Sequence, residues 1–220
     1  MAKTLIFSDT HLGSKFNQKK FEYLQKLFAH FDHIIINGDF WDDSKISFEK
    51  FLNSQWAELF PLLKEKNAIY IFGNHDPKHR MDERIYLFCD KACYAHNVAL
   101  PDGKTVQIEH GQNASFLSRL TFKIFKNHPK VFVFLASPIG YVQVFFMYLS
   151  KKGFSWYSRF INRHYVKLSK KLDGYFITGH SHGIMFDEKS GYINSGFIDK
   201  NFASYLEVDG STIFQIKNYY

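Results

Sequence analysis

Five apolar, β-rich runs in this chain each deliver a short motif built from aspartate, asparagine, histidine and glycine. Lys3 to Ser8 runs into Asp9-Thr10-His11, His33 to Asn37 into Gly38-Asp39-Phe40-Trp41-Asp42, and Ala68 to Phe72 into Gly73-Asn74-His75-Asp76. Further on, Thr105 to Glu109 runs into His110-Gly111, and Tyr175 to Thr178 into Gly179-His180-Ser181-His182. Short runs of this kind, bounded by turn residues, read as strands. In layered α/β sheets, ligand groups collect past the carboxyl ends of the strands. The segments between the first three runs, Gln18 to His30 and Ser47 to Lys66, carry helical spacing, so an α/β fold with a strand, helix, strand rhythm is expected. Gly38, Gly73 and Gly179 are expected where a strand turns sharply to aim a donor inward, a conformation that a Cβ would obstruct.

The residue types point to metals. Imidazole, carboxylate and amide are borderline or hard donors, and together they can hold two divalent transition metals about 3.5 to 4 Å apart, the arrangement that hydrolyses phosphate esters. One such motif carries little weight, because a lone histidine is more often a satisfied core or surface residue than a ligand. Five in series carry far more.

In these motifs the chain resembles a calcineurin-like metallophosphoesterase, from Asp9 to His182. The resemblance implies a four-layer αββα sandwich of two mixed sheets flanked by helices, classed as α/β or in some schemes α+β. It also implies that Asp9, His11 and His182 hold one metal, that Asn74, His110 and His180 hold the other, and that Asp39 bridges both. A hydroxide between the metals would be the nucleophile, and His75 would face the leaving group as proton donor or charge stabiliser. Asp42 and Asp76 would orient ligand imidazoles. The cofactor is then a pair of divalent ions, manganese first, with iron and zinc accepting the same donors. Tyr192-Ile-Asn-Ser-Gly196 resembles the strand and glycine turn that closes such sites, while Ser204 to Val208 and Thr212 to Ile216 read as a terminal hairpin around Asp209-Gly210.

Composition fits one domain over residues 1–220, since a chain of 220 residues can bury a large core without staples. Cys89 and Cys93 are the only cysteines, and their i, i+4 spacing suits one helix face better than a disulfide, which suggests a reducing compartment. Met1 leads directly into the first strand with no room for a signal peptide, so a cytoplasmic location is expected.

The stretch between His110 and His180 is long for a connection, and a helical cap is expected at about 112–171. From Gly111 to Lys171 it holds eleven Lys and Arg and no acid, so the other 17 bases face all 21 acids and the net charge of +7 belongs to this segment. Arg119, Lys123, Lys126 and Lys130 share one helix face, and Arg159, Arg163, Lys167 and Lys170 repeat the spacing. Between them, Val131 to Ser150 is uncharged and rich in Phe and Tyr. A buried helical pair is one reading of the segment. A transmembrane span is disfavoured by Pro138, Gly140 and Gln143, and by ligand strands on both sides that must meet at one site. The favoured expectation is a cap beside the metals, with Arg119, Lys123, Lys126, Arg159 and Arg163 meeting substrate or an anionic membrane surface at the inner face of the cell membrane. Nucleic acid is the other partner that such charge invites. No protein partner is inferred.

Within the family, Gly38-Asp-Phe-Trp-Asp42, the insertion after His110-Gly111 and Tyr192-Ile-Asn-Ser-Gly-Phe-Ile-Asp199 are most similar to the branch resembling UDP-2,3-diacylglucosamine pyrophosphatases of lipid A synthesis. That implies hydrolysis of a phosphodiester or pyrophosphate bond in a lipid-linked nucleotide. The alternatives are a soluble phosphodiesterase acting on nucleotides or nucleic acid, and a silent scaffold of the same fold. Scaffolds of this kind arise by losing ligands, and here every ligand position is filled.

Overall fold

A computed structural model describes residues 2–112 and 151–220. Its strands are β1 (Lys3–Phe7), β2 (His33–Asn37), β3 (Ile69–Ile71), β4 (Lys91–Cys93), β5 (Ala95–Ala99), β6 (Thr105–Glu109), β7 (Gly174–Thr178), β8 (Met185–Asp187), β9 (Tyr192–Asn194), β10 (Ile198–Asp199), β11 (Phe202–Asp209) and β12 (Thr212–Tyr219). Its helices are α1 (Gln18–Ala29), α2 (Phe48–Leu52), α3 (Phe60–Glu65) and α4 (Lys151–Ser169).

One sheet runs β10-β11-β1-β2-β3-β4 with β12 on β11, and the other runs β5-β6-β7-β9-β8. β1 to β4 are mutually parallel, as are β6, β7 and β9, while antiparallel strands complete both sheets. Both sheets are therefore mixed, and alternation along the strands explains how they stack. In β1, Ile6 faces a core shared with Ile35, Ile71, Ile108, Ile177 and Ile193, which fills the space between the sheets. Its neighbours Leu5 and Phe7 face the other way, against Leu24 and Phe28 of α1 and Phe51, Leu59 and Leu63. On the outer face of the second sheet, Phe176 and Tyr192 pack on Ile161 and Tyr165 of α4. Each such fully buried side chain contributes roughly 1.5 to 3 kcal/mol. The layers are helix, sheet, sheet, helix, the expected sandwich.

Local departures have local causes. The helical spacing of Ser47 to Lys66 yields three short pieces, α2, a 3-10 turn over Gln55–Leu59 and α3. Ser47 caps α2, Asn53 ends it, and Pro61 has no amide hydrogen to continue a helix but suits the first turn of α3. The cysteines do not share a helix face: Cys93 ends β4, and Cys89 is buried with Sγ toward the Ile85 carbonyl at 3.4 Å. Both are free thiols, and burial pushes Cys89 up to about 12. The terminal hairpin forms, with Asp209 opposite Thr212 and Gly210 at φ +58°. Among the described residues no helix is long and apolar enough to cross a membrane. Arg119, Lys123, Lys126 and the aromatic run Val131 to Ser150 lie outside the described residues.

Candidate metal centre

Five of the expected donors sit on strained backbone. Asp9, His11, Asp39, His180 and His182 have φ between +46° and +60°, a left-handed region where a residue with a Cβ is disfavoured by about 1 kcal/mol or more. Such strain persists only where neighbours over-determine it. Backbone bonds tie the first two loops together, with the amides of Asp9, His11 and Leu12 donating to the carbonyls of Gly38, Asp39 and Phe40 at 2.9 to 3.1 Å. The third and fifth loops join them through the His75 amide, which donates to Asp39 Oδ1 at 2.8 Å, and the His180 amide, which donates to Asp9 Oδ2 at 3.0 Å.

Of the three glycines, only Gly38 needs φ > 0, at +79°, and an added Cβ there would lie 2.4 Å from the His110 ring. Gly73 and Gly179 are there because donors come so close: a Cβ would sit 2.2 Å from Asp39 Oδ1 in the first case and 2.5 Å from Asp9 Oδ2 in the second.

The expected donors gather in two clusters, Asp9 with His11 and His182, and Asp39 with His110 and His180, and a third group, His11, Asp39 and His75, overlaps both. In the first, His182 Nε2 lies 3.1 Å from Asp9 Oδ1 and 3.2 Å from His11 Nε2. In the second, His110 Nε2 lies 3.2 Å from both Asp39 Oδ2 and Asn74 Oδ1, and His180 Nδ1 lies 2.7 Å from Asn74 Oδ1. Asp39 Oδ2 also stands 3.9 Å from His11 Nε2, so its carboxylate lies between the clusters. Ligands about 2.1 Å from one cation are roughly 3.0 to 3.4 Å from each other, which most of these separations match. Buried Asp9 Oδ1 has the His182 imidazole beside it at 3.1 Å, as suits two donors to one cation. The residues fit two metal ions.

Tautomers agree with that fit. A carbonyl can only accept, so the 2.7 Å contact from His110 Nδ1 to the Asn37 carbonyl puts a proton on Nδ1 and turns Nε2 toward Asp39 and Asn74, where a bound cation would take the place of the second ring proton. Burial disfavours the charged form of His110, but the charge and hydrogen bond of Asp39 prevail and push the imidazole up to about 10. Burial and the charge of His110 push His180 down to about 4. Burial works against the charge on Asp39 and Asp9 too, yet His110 beside Asp39 and His182 beside Asp9 hold both carboxyls below their ordinary value.

Asp42 touches two imidazoles, with Oδ1 3.1 Å from His75 Nδ1 and Oδ2 3.6 Å from His11 Nδ1, while Lys45 Nζ bonds it at 2.8 Å. Despite burial, bonds from His11, His75, Lys45 and Ser44 hold its carboxyl far below the usual range. Asp76 differs from expectation. Rather than an imidazole, it receives the amides of Phe40 and Gly73, each at 2.7 Å, and the Tyr70 hydroxyl. It thus joins the second and third loops through backbone, while burial and the charge of Asp39 push its carboxyl up. Asp76→Ala should strand two buried amides and lower stability by about 3 kcal/mol. Urea denaturation checks this, and an unchanged midpoint would contradict it.

The fifth loop is braced by two residues of α4 that sequence reasoning did not single out and by Asn194 of the Tyr192–Gly196 motif. From α4, Ser158 Oγ donates to the Ser181 carbonyl at 2.5 Å and Asn162 Nδ2 to the Gly183 carbonyl at 2.6 Å. From β9, Asn194 Nδ2 donates to the Gly179 carbonyl at 2.8 Å. Polar Ser158 and Asn162, four residues apart on the face of α4 that carries Ile161 and Tyr165, are the signal that was available. Arg159 and Arg163 are exposed and line a cleft of about 530 Å³ between α4 and Gly183–Met185, which ends on His182.

The family model for calcineurin-like phosphoesterases matches residues 2–183. No curated protein matches the chain. Among solved structures, YfcE, a phosphoesterase from E. coli, is similar at 17% identity, over 97% of this chain and 98% of that one, with a TM-score of 0.51. A Thermotoga maritima protein solved by NMR is similar at 16% identity over 100% of both chains, with a TM-score of 0.49. A protein from Aquifex aeolicus is similar at 16% identity over 89% of this chain and 90% of that one, with a TM-score of 0.46. The matched span covers every candidate donor from Asp9 to His182, and the chain belongs to the calcineurin-like phosphoesterase family of metal-dependent phosphoesterases.

Proposed function

We propose that the chain hydrolyses a phosphodiester or pyrophosphate bond with two divalent ions, manganese foremost, held by Asp9, His11 and His182 on one side and Asn74, His110 and His180 on the other. The observation that carries this reading is the Asp39 carboxylate lying between the two donor clusters. When bound, the ions would make a water molecule acidic enough to attack at neutral pH and would polarise the phosphoryl oxygen.

The chain's own residues do the rest. Asp42 receives His75 Nδ1, which leaves Nε2 of this part-exposed imidazole for the substrate. Burial lowers the His75 pKa, but the Asp42 bond and the charges of Asp39 and Asp42 outweigh it, so the imidazole stays above its ordinary 6.5. The shift favours the protonated ring, which can give its Nε2 proton to the leaving oxygen. The cleft at His182 takes the part of the substrate beyond the reacting phosphate, with Arg159 and Arg163 positioned for further anionic groups.

The substrate in this reading is a lipid-linked nucleotide such as UDP-2,3-diacylglucosamine, met at an anionic membrane surface. Support comes from α4, where Trp156 and Phe160 are 65% and 55% exposed and stack with centroids 5.8 Å apart. Exposed Arg163, Lys167 and Lys170 accompany them. Aromatic side chains set among bases suit a headgroup interface, where each base contributes about 1 kcal/mol. The protein should sediment with anionic vesicles at low salt, release as salt rises, and leave zwitterionic vesicles alone. If the wild-type protein ignores anionic vesicles at low salt, the lipid-linked substrate is wrong and a soluble nucleotide diester takes its place.

A further inference from the structure

Lys20 stands where an apolar residue is expected. It is 5% exposed, on the buried face of α1 beside Phe21, Leu24, Leu27 and Phe28. Burying an ammonium is costly unless its protons are taken. Here Nζ donates to the Thr10 carbonyl and, at 3.1 Å, to Asp199 Oδ1 at the end of β10.

The Thr10 carbonyl lies between Asp9 and His11, two donors of the first cluster, both in the left-handed region. Other polar groups of this loop are held from elsewhere. The Asp9 and His11 amides donate to the Gly38 and Asp39 carbonyls in the loop after β2, Thr10 Oγ1 donates to the Phe40 carbonyl at 2.6 Å, and the Asp9 carbonyl accepts from the Ile198 amide at 3.3 Å. Rotation of the peptide that joins Thr10 to His11 would change φ at His11, now +46°, and with it the direction in which His11 presents its side chain. The ammonium of Lys20 is the group that opposes this rotation at the carbonyl end. Asp199 balances the charge, so the ammonium does not repel cations at the centre.

We infer that Lys20, paired with Asp199, is a positioning residue for the first metal site: it fixes the Thr10 peptide and so aims Asp9 and His11 at one cation. This inference rests on the dinuclear reading above. It differs from ordinary packing in a measurable way. Replacing a buried charge with an apolar chain of similar length is often neutral or better for stability, whereas losing a group that orients ligands costs about ten- to a hundredfold in metal affinity.

The test is a Mn²⁺ titration of metal-free wild type, K20M and D199N against a chelating indicator, with melting curves of the metal-free proteins. H182A identifies the first-site step as the one it removes. For K20M, the first-site step should weaken about tenfold or more while the other moves less than about twofold, with no matching fall in melting temperature. D199N keeps Lys20 but removes its counter-charge, and should weaken the same step by a smaller factor; it decides the matter should K20M not fold. Equal weakening of both steps, or no weakening of either, overturns the inference. A wild-type protein without two binding steps overturns the dinuclear reading instead.

Discussion

Asp39→Ala is expected to abolish hydrolysis and to lower bound metal from two ions to one or none. Asp39 Oδ2 lies 3.2 Å from His110 Nε2 and 3.9 Å from His11 Nε2, one donor from each cluster. Two divalent ions about 4 Å apart repel strongly at any interior dielectric, so losing the anion between them removes both a ligand and the charge that lets them coexist. The damage is not confined to charge, because Asp39 Oδ1 also holds the His75 amide. Asp39→Asn keeps that acceptor and should still lose metal. Elemental analysis of the purified variants decides: two full equivalents in Asp39→Ala would sink the bridging role.

His75→Ala should retain both metals yet turn over roughly a hundredfold or more slowly, because it removes a proton donor rather than a ligand. The loss should shrink for a good leaving group such as p-nitrophenolate, which needs little protonation. An equal loss for good and poor leaving groups would leave His75 with charge stabilisation only. Because His11, Asp39 and His75 themselves form a cluster able to hold a metal, a missing equivalent in His75→Ala would make His75 a ligand instead.

What the sequence made legible is what lies contiguously along it. The runs ending at Phe7, Asn37, Glu109 and Thr178 became strands, and their motifs met because parallel strands bring their carboxyl ends to one edge. The spacing of Arg159, Arg163 and Lys167 marked a helix face that is exposed in α4. Contacts distant in sequence were not legible. Nothing local says that Lys20 reaches Asp199, that Asp76 takes the Phe40 amide, or that Asn162 braces the His180–His182 loop. Nor does an aspartate or histidine announce a left-handed backbone as a glycine would, so the strain at Asp9, His11, Asp39, His180 and His182 emerged only in three dimensions. The division of Ser47 to Lys66 followed from Asn53 and Pro61, whose breaking effect the helical spacing concealed.

One dinuclear centre, built from these strand-end donors, is proposed to hydrolyse phosphoesters. The most direct test of this is to strip the wild-type protein of metal, add Mn²⁺ in measured equivalents, and follow bis(p-nitrophenyl) phosphate hydrolysis at each addition. Activity should be absent without metal, rise until two equivalents are bound, stay level beyond that, and vanish when a chelator is returned. Saturation at a single equivalent, or turnover that survives complete metal removal, would contradict it.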